Sequence, residues 1–398
     1  EVELTNAVRA VIDKMLGEVV AEADLDRSVV VDMTLVGNPV MHHFVLGYDT
    51  TPLGQAPFTL ATDVAEHRTA TELDIDAPNA RVYIAPCIAG HVGADTAAAI
   101  LSEGPHRSSA VQLLVDVGTN AEIVLGNSEQ LLAASSPTGP AFEGAQISAG
   151  QRATAGAIER VRIDPATLVA KIRVIGSDLW SDEPGFAQAV ASTGVTGICG
   201  SGIIEVLSEL VTAGAIDQAG NIVSDHGSGS DRIIADGRTF SYVLYADSDA
   251  RITIVQNDVR AIQLAKAALK AGIDLLLERA ELDAPDEIKL AGAFGAHIDP
   301  AHAMVLGLIP EIDIDLVRAV GNSAGSGAVR ALLSGQERAE MEQTVRGVVK
   351  IETAIEPRFQ VLFIEALAFP RSPRAGGAAT GRRRRRSGKR QTEGDSDV

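Results

Sequence analysis

A chain of 398 residues, 46% of them hydrophobic, is long enough for two or more compact lobes with a sizeable core. Its formal net charge of −19 understates the acidity of the body, because nine Arg or Lys against three Asp or Glu are gathered after residue 370. Such a body repels nucleic acid and anionic membrane surfaces over most of its area and favours partners with basic patches. The two cysteines, Cys87 and Cys199, sit among apolar and Gly residues; alone they build neither a disulfide scaffold nor a zinc or iron–sulfur site, which suits a reducing cytoplasm. No apolar run reaches the length of a membrane span, and the chain opens on Glu1 without Met, so it reads as a fragment.

Leu4, Val8, Val11, Ile12, Met15, Leu16, Val19 and Val20 recur at helical spacing and predict an amphipathic helix over 3–23. A β-rich run, Ser28 to Val36, stops at Gly37-Asn38-Pro39, where Pro39 suits the first turn of a helix running to Leu46. His42, His43 and His297 show no metal-ligand spacing, so core or surface roles are expected. In Ala89-Gly90-His91-Val92-Gly93-Ala94-Asp95-Thr96, Asp95 stands at a helix start; it reads either as a general base that orients a metal-bound water or as an N-cap.

The most informative stretch is Val115 to Leu125, two β-rich runs folded over Gly118-Thr119-Asn120. Gly118 permits a positive φ and a close approach of backbone N–H groups to an anion, while Thr119 and Asn120 add short side-chain donors. Asp116 ends the buried strand, and a lone buried carboxylate is costly; a hydrated divalent cation on a phosphate would satisfy it, as would a bond to its own turn. The loop Ser136 to Gly150, with Gly139 and Gly144, touches a ligand or is an Ω-loop held by Phe142. After a hairpin over 158–175, Gly194 to Glu205 places Gly200 and Ser201 before a helix to Ala213, another candidate anion-facing end; Cys199 there reads as an inert buried thiol.

Beyond a polar section, Asp217 to Arg238, the longest helix spans about 256–280 with Val259, Ile262, Leu269, Ile273, Leu276 and Leu277 inward. On it Gln263, Lys266 and Lys270 share one face, which could clamp a ribose or adenine edge or stay solvated. Strand–Gly–helix grammar recurs at Ile288 to Gly295 and at Ala319 to Gly325, and argues for an α/β architecture whose Gly turns line a phosphate or nucleoside cleft. Residues 371–398 are Gly, Pro, Ser and Arg rich and are expected to be a disordered basic tail.

The order of these pieces resembles the C-terminal ATPase domain of the reductive activators of corrinoid-dependent enzymes, within the acetate and sugar kinase, heat-shock chaperone and actin superfamily. The residues that carry it are Gly37-Asn38, Pro86 to Gly90 with Asp95-Thr96, Asp116 to Glu122, Gly139 to Gly144, Gly197 to Gly202, Gln263 to Ala268, Leu290 to Gly295, Gly321-Asn322-Ser323 and Phe363 to Pro370. The resemblance implies a two-lobed actin-like α/β fold with ribonuclease H-like lobes. Residues 1–109 would be the remainder of an N-terminal lobe that is incomplete at its start, and 110–370 the C-terminal lobe. It implies ATP and Mg as ligands, with Asp95 and Asp116 catalytic and Asp116 reaching Mg through water. Gly118, Thr119, Asn120, Gly139, Gly144, Gly200 and Ser201 would meet the phosphates and their surroundings. Gly292, Ala293, Phe294 and Gly295 would form the adenosine turn, and Gln263 and Lys266 would flank the nucleoside. Relatives carry a first phosphate hairpin and a 2Fe-2S cluster on four cysteines, neither of which this chain contains.

The function implied is ATP-dependent return of a Co(II) corrinoid protein or methyltransferase to Co(I), with an electron donor, a homodimer allowed, and no membrane or nucleic acid. A small-molecule kinase of the same superfamily and a non-enzymatic docking module are the alternatives.

Overall fold

The computed structural model describes residues 1–224, 230–248, 250–295 and 297–370; the predicted basic tail lies outside the described residues. In residues 1–108 a small mixed sheet forms from Asp32–Leu35, parallel to Arg81–Ile84, which in turn pairs antiparallel with Glu66–Thr69. The predicted strand from Ser28 is shorter than expected because Arg27–Val29 makes a 3-10 turn capped by Asp26. Pro39–Leu46 is helical as expected, with Asn38 accepting from the Met41 N–H at 2.9 Å. Helix Val2–Glu22 lays Val8, Ile12 and Leu16 on the cluster of Val45, Leu73, Val82 and Ile84, while Leu4, Val11, Met15 and Val19 face solvent. Its eight apolar positions therefore cover more than one face, and the three-stranded sheet is wide enough for only one.

The second part is organised by a six-stranded sheet in the spatial order Val317–Gly321, Glu287–Ala291, Gln112–Val117, Ala121–Gly126, Leu131–Ser136, Val349–Lys350. The first three strands run parallel and the hairpin strands antiparallel, the ribonuclease H-like arrangement. Gln112–Val117 is mostly apolar because both faces are covered. Leu113, Val115 and Val117 meet Leu269, Ile273 and Leu276 of the helix Gln256–Arg279, and Leu114 meets Ala99 and Ile100 of the helix Ala94–Glu103 on the opposite face. All six inward residues expected on the long helix are buried. Its Gly272 lets it lie close on the sheet, since a Cβ there would meet Ile123 Cδ1 at 2.6 Å.

Between the hairpin and the long helix lies an insertion. It holds the expected hairpin, Ala157–Ile163 with Ala170–Val174, and the helix Gly200–Ala213. It also holds an antiparallel sheet, Ile233–Asp236, Thr239–Ala246 and Arg251–Ile254, that the sequence reading did not anticipate.

Candidate functional site

Three parallel strands end level with one another. Ala291 stands opposite Asp116 in one ladder and opposite Gly321 in the next, so the hairpin turn and two strand–Gly–helix turns open on one edge of the sheet. In open α/β sheets ligands gather at this carboxyl edge. The three-residue turn closes with the Gly118 N–H donating to Asn120 O at 3.0 Å, and Thr119 and Asn120 are exposed. Gly118 is not among the residues with positive φ, which corrects the sequence expectation; a Cβ there would make a tight contact with Asn120 O at 3.2 Å. Gly292 does adopt a left-handed φ of 86°, and a Cβ on it would come within 2.4 Å of Asp116 Oδ1. The backbone of Gly292–Gly295, including Ala293 and Phe294, forms one helical turn beside the hairpin.

Asp116 is half-buried, and among the described residues no group donates a hydrogen bond to it, so a bond to its own turn is ruled out. Burial, followed by the charge of Asp95, pushes its carboxyl up to about 6. Asp95 is the second residue of the helix Ala94–Glu103 and is not its cap, a place taken by Gly93; its Oδ1 accepts from the Thr96 N–H at 2.8 Å. A side chain at Gly93 would collide with Asp95 Oδ1 and Gly37 O, both at 2.7 Å, so this glycine is what lets Asp95 sit against the Gly37-Asn38 turn. Burial raises the Asp95 carboxyl as well.

A third acid, Glu122, was not singled out as a site residue. It is the cross-strand partner of Asp116, and burial, then Asp95 and Asp116, push it up to about 8. Directly opposed residues of an antiparallel pair point to the same face, so the spacing around the three-residue turn was the available signal. Among the described residues no cationic side chain offsets these three acids. Three uncompensated carboxylates beside a Gly-bounded edge fit a hydrated divalent cation. A direct three-ligand site is not formed there: among the described residues only Glu205, Asp299 and His302 bring three ligating atoms together. That cluster already places Arg160 and Arg162 on Glu205 at 2.8 and 2.7 Å, where a cation would stand.

The loop after Leu131–Ser136 folds back on the turn. Thr138 Oγ1 donates toward Gly118 O at 2.9 Å and Thr119 O at 3.0 Å, the Gly139 N–H donates to Thr119 O at 2.8 Å, and Thr119 Oγ1 donates to Glu143 Oε1 at 2.7 Å. Phe142, fully buried, anchors this loop as the Ω-loop reading expects, and Ser148 fixes its far end on buried Asp258 through N–H and hydroxyl bonds of 2.8 and 2.7 Å. Beside it opens a cavity of about 570 Å³ bounded by Phe142, Glu143, Arg152, Gly200, Ser201 and His297. Gly139, Gly144, Gly200 and Ser201 thus fall around one loop and its cavity, although the Ser201 hydroxyl is spent on Glu159 O at 3.1 Å.

Gln263 and Lys266 hold neither of the positions anticipated for them, a solvated face or a free clamp. Both are buried: Gln263 donates to Ala219 O and Leu367 O at 3.1 and 3.0 Å, and Lys266 Nζ donates to Ala366 O and Ala368 O at 2.7 and 2.6 Å, 5.0 Å from the Phe369 ring centroid. Burial, then Lys270, lowers the Lys266 ammonium to about 8. Their polar heads fasten residues 366–369, a long-range contact that helical spacing could not announce. The two cysteines are buried and free, and burial followed by the Asp95 charge lifts the Cys87 thiol to about 12. His42 and His43 are core residues, and no helix among the described residues is long and apolar enough to cross a membrane.

Residues 110–375 match the family model described as the C-terminal domain of RACo, the ASKHA domain, and residues 1–108 match the RACo middle region. The chain belongs to the RACo family. This RACo-family chain is 33% identical over 370 residues to the corrinoid activation enzyme RamQ of Eubacterium limosum, covering 90% of this chain and 59% of RamQ. It is 26% identical over 239 residues to the [Co(II) methylated amine-specific corrinoid protein] reductase of Methanosarcina barkeri, covering 58% of this chain and 41% of that protein. The solved structure of a reductive activator for corrinoid, iron–sulfur protein superposes with a TM-score of 0.79 at 33% identity, covering 93% of this chain and 57% of the other. The chain therefore spans less than two thirds of each of these relatives, and its two-lobed α/β ASKHA fold is that of the family.

Proposed function

We propose that this chain is the nucleotide-binding and ATP-hydrolysing part of a reductive activator that returns a Co(II) corrinoid protein to Co(I). The observation that carries the reading is the level ending of three parallel strands at Asp116, Ala291 and Gly321, with Asp116 unpartnered and Asp95 close enough to raise its pKa. Phosphates would lie along Gly118, Thr119 and Asn120, and the nucleoside would enter the cavity of about 570 Å³, a volume suited to a ligand of that size. Asp116 would hold Mg through water, where the ion supplies neutralisation of phosphate charge. Asp95 and Glu122 would orient the attacking water, positioning being most of what phosphoryl transfer asks of a protein. Gln263 and Lys266 belong to the support of the lobe in this reading, since their donors are engaged elsewhere.

Reduction itself needs an electron carrier. Two buried cysteines cannot ligate a 2Fe-2S cluster, so the cluster is assigned to another part of the whole protein, supported by the share of the relatives that this chain leaves unmatched. Closure of the cleft on ATP would couple hydrolysis to electron delivery by favouring one of two conformations. In the test, whole protein is mixed with a Co(II) corrinoid protein and a chemical reductant, and Co(I) absorbance is followed. Co(I) is expected only with MgATP, and Asp116→Asn should abolish both the Co(I) yield and ATP hydrolysis. Equal Co(I) yields from Asp116→Asn and wild type would overturn the assignment.

A further inference from the structure

The side chain that belongs to both the hairpin and the cavity is Glu143. Its Oε1 accepts a hydrogen bond from the Thr119 hydroxyl at 2.7 Å, and the same residue lines the cavity with Phe142, Arg152, Gly200, Ser201 and His297. A threonine hydroxyl has one proton to give, so a full bond to the carboxylate competes with a full bond to a phosphate oxygen. A carboxylate oxygen on that hydroxyl also repels an incoming polyphosphate. Glu143 ends the turn Pro140–Glu143, which is bracketed by Gly139 and Gly144 with left-handed φ of 70° and 85°. Phe142 is fixed in the core, whereas Glu143 is exposed, so rotation of its side chain alone frees Thr119 while the loop stays anchored.

We propose that Glu143 is a positioning residue of the phosphate hairpin: its carboxylate competes with a phosphate oxygen for the Thr119 hydroxyl and must turn aside for polyphosphate to engage that hydroxyl. The arrangement ties the availability of the Thr119 hydroxyl to the cavity that Glu143 lines. It rests on the nucleotide reading above. Glu143→Gln keeps the size of the side chain and removes the competing charge, so it should bind MgADP about three- to tenfold more tightly than wild type, the modest effect typical of an exposed charged contact. A side chain that served only to build the loop would weaken binding when changed. In a Thr119→Val background, which lacks the shared hydroxyl, the gain from Glu143→Gln should shrink to the part that charge repulsion alone supplies. Titration of a fluorescent ADP analogue with Mg into all four proteins decides the matter. If wild type binds and Glu143→Gln binds equally or less tightly, or if the gain is undiminished in the Thr119→Val background, the role of Glu143 is overturned while the nucleotide site stands. If none of the four binds, the nucleotide reading itself fails.

Discussion

Two long helices with similar apolar spacing meet different fates in this chain. Val2–Glu22 buries only Thr5 and Val20, whereas Gln256–Arg279 buries fifteen residues, Gln263 and Lys266 among them. The difference lies in what surrounds them. The first rests on a three-stranded sheet that covers one side; the second is closed by the six-stranded sheet and, on its other side, by Leu362, which packs against Ala271 and Leu275. Residues 1–108 have a small core of their own around Val45, Leu73, Val82 and Ile84 and also contact the second part. Helix Ala94–Glu103, which carries Asp95, is pressed on helix Ser323–Leu333, and Lys289 Nζ reaches Glu103 O at 2.7 Å. The acid that faces Asp116 from the first part is positioned by the packing of the second.

The largest expected effect comes from breaking that seam. A Cβ at Gly327 would lie 1.9 Å from Ala98 O, so Gly327→Ala forces the two helices apart at a cost of about 1–3 kcal/mol, as overpacking typically does. Urea unfolding should show a lower midpoint and, if the two parts separate, a first transition assigned to residues 1–108. Next in size is Gly292→Ala. It puts a side chain into a left-handed conformation and against Asp116, costing about 1–2 kcal/mol and lowering Mg-nucleotide affinity roughly tenfold in a direct titration.

A smaller effect is readable in pH. Glu122 is raised to about 8 in the folded chain, so the folded state holds its proton more tightly than the unfolded one. Stability should therefore fall as pH rises from about 6.5 to 8, a window above the range in which His42, lowered to about 4, acts in the opposite sense. Glu122→Gln should flatten this slope in thermal melts, and Mg should stabilise wild type more at pH 8 than at pH 6. Smallest of all, Met15→Ser on the exposed side of the first helix should change unfolding free energy by no more than about 0.5 kcal/mol. A loss beyond about 2 kcal/mol would mean that this face is covered and that the contrast between the helices is false.

The hairpin, the strand–Gly–helix turns and the inward side of the long helix were legible because each is written in contiguous residues with a fixed period. Asp116 could be singled out because a carboxylate at the end of an apolar strand is anomalous on local grounds. Glu122 lay in the same motif, yet its significance depends on Asp95 and on the burial that both share, which no local pattern carries. Lys266 misled for the converse reason. A lysine at helical spacing looks solvated until a segment a hundred residues away supplies Ala366 and Ala368 carbonyls to its ammonium.

What the sequence by itself determined is the hairpin, the strand–Gly–helix turns and the inward side of the long helix, that the hairpin turn is made of small polar residues, and, through the resemblance, the ASKHA fold. Turn chemistry and hydrophobic period are properties of neighbours along the chain. Tertiary structure alone decided which acids share a charge environment, which donors remain available and which face of a helix is covered. Burial and electrostatic energy depend on distance in space, and Asp95, Asp116, Glu122 and Glu143 acquire their relation only when the strands end level and the loop folds back on the turn.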